Sequence, residues 1–267
     1  MQRSCWHFLG TALPLAACLT LSACSSSTSQ QQRQQAISEY DIAADLWARQ
    51  RVPRDALEHG LKATELDPDN SDAAHLVSLI YLEFCQNSQI GECRLAESEK
   101  YARRALHADP ESLAVQNTLA VILVHQRRFD EAISLLLPLT ANILYPTPEI
   151  AWGNLGWAYL EKDELPMAIT ALSRAVAAQP LFCVGNYRLG VAYHRSGQLA
   201  SSRDALDRAL ETQAPGCAEL QDALLERAEV EIALGALEPA RADLERCLSL
   251  NQKTSSGQTC AKLLPTL

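Results

Sequence analysis

From Ile37 to the C-terminus, apolar residues recur at helical spacing, in pairs of segments that repeat about every 34 residues. The clearest period is residues 149–182, EIAWGNLGWAYLEKDELPMAITALSRAVAAQPLF. Trp152, Leu155 and Tyr159 form one apolar face of a first helix, and Leu172 and Ala175 bury a second. Gly156 and Ala168 are small where the two helices must come close, and Pro180 ends the second helix.

With this period as a ruler, six units run from 37 to 254. Unit 37–70 carries Tyr40, Ala44, Trp47, Ala56, Ala63 and Pro68 at the expected offsets; unit 71–112 carries Ala74, Val77, Tyr81, Tyr101, Ala105 and Pro110, with extra residues between its helices. Unit 113–148 has Leu119, Ala120, Leu123, Ala132, Leu136 and Leu139, and is followed by unit 149–182. Unit 183–220 has Leu189, Gly190, Tyr193, Leu206 and Ala209, and unit 221–254 keeps Leu224, Ala228, Ala240, Leu244 and Cys247. In this last unit Arg227 and Glu231 replace the apolar Leu and Tyr, which predicts an end cap with a polar outer face. Residues 255–267 are expected to form a C-terminal capping tail. These offsets are those of the tetratricopeptide (TPR) repeat, and they predict an all-α, right-handed superhelix, an α-solenoid of about six helix–turn–helix units with the first helices lining a concave face.

Ahead of the repeats, Arg3 precedes a mostly apolar run from Trp6 to Leu21, followed by Leu21-Ser22-Ala23-Cys24. The run is too short to span a bilayer and resembles a bacterial lipoprotein signal peptide, residues 1–23, with its lipobox. The resemblance implies that Cys24 carries a diacylglycerol thioether and an acylated amine, palmitate-type chains that anchor the protein stably. Ser25, where Asp would retain the lipoprotein in the inner membrane, favours the outer membrane. Two alternatives remain open: ordinary secretory cleavage after Ala23, or a retained anchor. Residues 24–36, rich in Ser and Gln, read as a flexible tether.

Residues 114–176 bring a closer resemblance. The order of an N-L-x-x-x-L helix, Arg127-Arg-Phe-Asp-Glu-Ala132, then Leu144-Tyr-Pro146 before the next N-L-G helix, is similar to that of the type IV pilus pilotins. These are the six-TPR outer-membrane lipoproteins grouped as PilF, PilW and Tgl, with the Tgl-like branch nearest. The resemblance implies a lipid-anchored outer-membrane protein whose body faces the periplasm. It would engage the secretin subunit of the type IV pilus machine and promote secretin multimerisation, pilus extrusion and gliding or twitching motility. The alternatives are a generic periplasmic TPR adaptor in envelope assembly and a thiol-based redox or regulatory module.

Composition narrows the partners. The formal net charge is −9, and residues 1–23 hold Arg3 and no acid, so the remainder is more acidic still. Such a body disfavours nucleic acid as partner. No nucleophile elbow, phosphate-binding loop, dinucleotide fingerprint or H-E-x-x-H is present, so the chain reads as no enzyme, with no cofactor and no small-molecule substrate. The six histidines share no metal-binding helical spacing, and no metal is expected.

Of nine cysteines, six follow Cys24, an even number that suits an oxidising compartment. Pairing neighbours in sequence gives candidate disulfides Cys85–Cys93, Cys183–Cys217 and Cys247–Cys260. In the second pair both cysteines are expected to head first helices of adjacent units, whose axes stand about 8–10 Å apart, while a disulfide needs closer Cα atoms.

Repeat geometry turns the second, fifth, ninth and twelfth positions of the first helices toward the groove. In the central units the last three are Asn117, Val121 and Val124; Gly153, Trp157 and Leu160; and Tyr187, Val191 and His194. An apolar groove with Trp157 at its centre suits a peptide or helix. It is expected to lack the Lys/Arg pairs with which some TPR adaptors clamp a terminal carboxylate.

Overall fold

The computed structural model describes residues 19–86 and 92–267, with side chains from Ser29 onward. Among the described residues there are thirteen α-helices, two short 3-10 turns and no strand. The helices are α1 (Leu19–Ala48), α2 (Pro53–Leu66), α3 (Ser71–Gln86), α4 (Leu95–Ala108), α5 (Leu113–His125), α6 (Phe129–Ala141), α7 (Pro148–Glu161), α8 (Leu165–Ala178), α9 (Cys183–Arg195), α10 (Leu199–Glu211), α11 (Gln221–Leu234), α12 (Leu237–Leu250) and α13 (Ser255–Leu263). Each odd-numbered helix from α1 to α11 packs most extensively on the even-numbered one that follows it, and each pair packs on the next, which is the architecture of a TPR solenoid.

The hairpins close through the small positions. A Cβ on Gly156 would lie 2.5 Å from Leu172 Cγ, and one on Gly190 would lie 2.6 Å from Leu206 Cγ, the same offset one unit later. Only hydrogen fits between these helix pairs, and Leu172 and Leu206 are fully buried. The turn between the helices repeats too. Arg51, Arg127, Asp163, Gly197 and Gly235 all have left-handed backbone, with φ between 59° and 79°, and each is the fifteenth residue of its unit. Glycine relieves that conformation in two units, and three units accept its cost.

Three parts of the sequence reading need correction. The run expected as a flexible tether, 24–36, has helical backbone as part of α1, with Ser29–Gln35 exposed and packing beginning at Ala36. Its Gln-rich composition extends a helix already nucleated by the packed half. Residues 1–18 of the expected signal peptide 1–23, and the side chain of the lipidation candidate Cys24, lie outside the described residues, and no described helix is long and apolar enough to cross a membrane.

The last unit is not polar on its outside at the positions expected. Arg227 turns inward, donating two hydrogen bonds of 2.7 Å to Asp243 and one of 2.8 Å to Asp207. Burial opposes its charge, but the two carboxylates raise its pKa and hold it ionised. Glu231 is buried as well. What caps the solenoid is α13: Gln221 donates to the carbonyls of Cys247 and Asn251, and Thr254 caps α13 by accepting from the Gly257 amide.

Cys217 does not head a first helix; it lies in a 3-10 turn, Cys217–Glu219, before α11. That placement brings its Cα to 5.7 Å from that of Cys183, and the two are joined in a disulfide. Disulfides also join Cys85 to Cys93 and Cys247 to Cys260.

Candidate functional site

The first helices α5, α7, α9 and α11 present their groove sides to one another through polar links. Asn154 donates to Asn117 at 3.0 Å, and Arg188 reaches Asn154 at 3.4 Å, a ladder across three units. Beside it, Trp157 lies between two cationic or titratable groups. The Arg188 guanidinium stands 4.3 Å from its ring centroid, and the His125 ring meets it edge-on at 4.9 Å. Its indole N–H donates to Glu161 at 3.3 Å.

Trp157, Leu160, Tyr187 and Val191 line one cavity of about 240 Å³, together with Glu161, Arg188, Arg195 and Asp222. A second cavity of about 500 Å³ shares Tyr187, Arg188 and Asp222 and extends to Gln221 and Ser255, so the two lie side by side as a cleft along units four to six. Its lining mixes the apolar Trp157, Leu160 and Val191 with the charged Glu161, Arg188, Arg195 and Asp222. Burial pushes Arg188 down to about 10, although Tyr187 and Glu161 favour its charged form. Burial, with Asp222 and Glu226 nearby, pushes the Tyr187 phenol up and keeps it neutral.

The nine positions expected to face the groove divide. Val124 and Leu160 are 3% exposed and Val191 is 7% exposed, so these chains serve mainly as packing, with Leu160 and Val191 showing only an edge to the cavity. Gly153 is also buried; a Cβ there would lie 2.7 Å from the Phe182 ring, so its role is to admit that ring between α7 and α9. Asn117 and Val121 are half-buried but do not border the cavity, and His194 pairs with Glu226 at 2.7 Å. Trp157 and Tyr187 stand at the centre.

The position count missed the neighbours that carry charge. Arg188 and Arg195 both border the cavity, contrary to the expected absence of a Lys/Arg pair, and Arg195 also donates to the Leu160 carbonyl at 3.2 Å. They were legible as residues three places before and four places after Val191, since a helix turns about 100° per residue and each groove position has flanking ones. The site carries no nucleophile–base pair; what it offers is an aromatic surface and fixed charges of both signs, suited to binding.

The comparisons agree with this architecture. The tetratricopeptide-repeat family model matches residues 94–142 and 154–218. The crystal structure of PilW, a widely conserved type IV pilus biogenesis factor, superimposes with a TM-score of 0.68 at 22% identity, covering 85% of this chain and 98% of that one. The structure of PilF from Pseudomonas aeruginosa gives 0.65 at 16% identity, covering 87% and 99%. In sequence, the type IV pilus assembly protein PilF of P. aeruginosa is 32% identical over 100 residues, 38% of this chain and 36% of that protein. A BBSome complex member BBS4 homologue of Drosophila melanogaster is 26% identical over 220 residues, 77% of this chain and 42% of that protein. The chain thus matches less than half the length of either of these two relatives. The described residues fold as a tetratricopeptide-repeat solenoid, similar in structure to PilW and PilF and, over 100 residues, in sequence to PilF.

Proposed function

We propose that this protein is a pilotin. In this reading it is lipidated at Cys24, anchored in the outer membrane with its body in the periplasm, and binds the secretin subunit of the type IV pilus machine in the cleft centred on Trp157. A tethered binder raises the local concentration of subunits at the membrane, and ring assembly follows without chemistry. The observation that carries the reading is the match of nearly the whole length of the PilW and PilF chains onto the six helix pairs. The Arg127–Ala132 and Leu144–Pro146 pattern, which resembles that of the pilotins, and the lipobox-like Leu21–Cys24 support it. Deleting the gene and assaying heat-resistant secretin multimers in outer membranes tests it: multimers should be lost, and normal levels sink the proposal. A Cys24→Ala protein should leave the outer-membrane fraction; retention there removes the lipidation step.

A further inference from the structure

On the same concave side, one unit beyond the Trp157 cavity, His194 of α9 faces Glu226 and Glu229 of α11. One ligand atom from each residue lies within 4.8 Å of the other two, and all three side chains are half-buried. We propose that His194, Glu226 and Glu229 form a divalent-cation site, of the one-imidazole, two-carboxylate type that zinc favours, which ties unit five to unit six.

The donor set has the right chemistry: one imidazole and two carboxylates leave a fourth position for water on a tetrahedral ion. At metal–ligand distances of about 2.0–2.2 Å, tetrahedral ligands lie roughly 3.4 Å apart, so side-chain torsions alone must draw the group inward by little more than about 1 Å. Glu226 and Glu229 sit three residues apart on one face of α11, and His194 approaches from the adjacent first helix. The electrostatics call for a cation. Among the described residues neither Glu226 nor Glu229 has an ion pair with Lys or Arg; the one partner is His194, 2.7 Å from Glu226. Two half-buried carboxylates without a Lys or Arg counter-charge are relieved by a divalent ion more fully than by a single imidazole. A linear motif search misses the group because its members are 32 and 35 residues apart and meet only when two units stack.

An ion here would fix the angle between α9 and α11 and so the width of the cleft beside Tyr187. The inference does not depend on the pilus reading. It is tested with the full-length protein in detergent, disulfides intact and remaining thiols alkylated, titrated with Zn²⁺ against a chromophoric chelator and with Co²⁺ followed by its visible absorption. One equivalent should bind, Co²⁺ should show a four-coordinate spectrum, and Zn²⁺ should raise the melting temperature. Glu229→Gln keeps its shape and should fold unchanged in metal-free buffer, yet lose about 100-fold or more in affinity, as should His194→Ala. The absence of saturable binding, or the same affinity in Glu229→Gln as in the parent, overturns the site.

Discussion

Arg188 stands over the face of Trp157, 4.3 Å from the ring centroid, while its guanidinium also reaches Asn154. The pair fixes the indole in one orientation at the centre of the cleft, so a partner meets a rigid aromatic surface at little entropic cost. Trp157→Ala should therefore weaken binding of the secretin subunit by about tenfold or more, with far-UV circular dichroism unchanged. Calorimetry on purified secretin subunit reads the effect; undiminished affinity removes this cleft as the docking surface.

Arg227 makes a different kind of claim, since Asp243 is buried around it. Arg227→Leu restores the apolar residue usual at that repeat position, yet it should cost about 3 kcal/mol or more, because a buried carboxylate loses its partner. Adding Asp243→Leu should recover most of the loss. Urea midpoints of the two variants give the answer, and equal midpoints would show that the pair is not coupled.

The outcome at Arg227 also marks what the sequence could reveal. Hairpin packing demands small and apolar residues at fixed offsets, so Gly156, Gly190, Leu172 and Leu206 were legible as repeat positions, while the contacts of each glycine with its leucine emerge only in the fold. Ion pairs obey no such period. Asp207 and Asp243 lie 20 and 16 residues from Arg227, on other helices, and nothing local announces that they meet it. The groove was half legible for the same reason. Counting positions located Trp157 and Tyr187, but it could not tell that Val124 and Leu160 are consumed by packing, nor that Arg188 and Arg195 enter the cavity.

Glu99 predicts the acid limb of stability. Burial works against its charge, but hydrogen bonds from Gln126, Arg128 and Arg103 outweigh that and hold its pKa at about 2, against 4.5 ordinarily. A folded-state pKa below the unfolded one adds stability that is complete above about 4.5 and is lost as pH falls toward 2. The stability gap between the protein and its Glu99→Gln variant should be widest near neutrality and should shrink across that window. A gap that stays constant with pH rules out the linkage.

Arg51 is exposed and left-handed, with φ 59°. Arg51→Gly removes the steric cost of that conformation while giving back part of the gain as unfolded-chain entropy, for a net stabilisation of about 0.5 kcal/mol. Thermal melts should show a small rise, and a fall would mean that the Arg51 side chain makes a contact worth more than its strain.

The recurrence of one left-handed residue at the fifteenth place of five units reaches beyond that single substitution. Arginine, aspartate and glycine all serve there, so the hinge geometry belongs to the backbone path and not to any side chain. Each hairpin is in effect an interchangeable link with the same clasp. Whole links can be duplicated or deleted without redesigning the joints, and a lineage can change the reach of the solenoid in discrete steps.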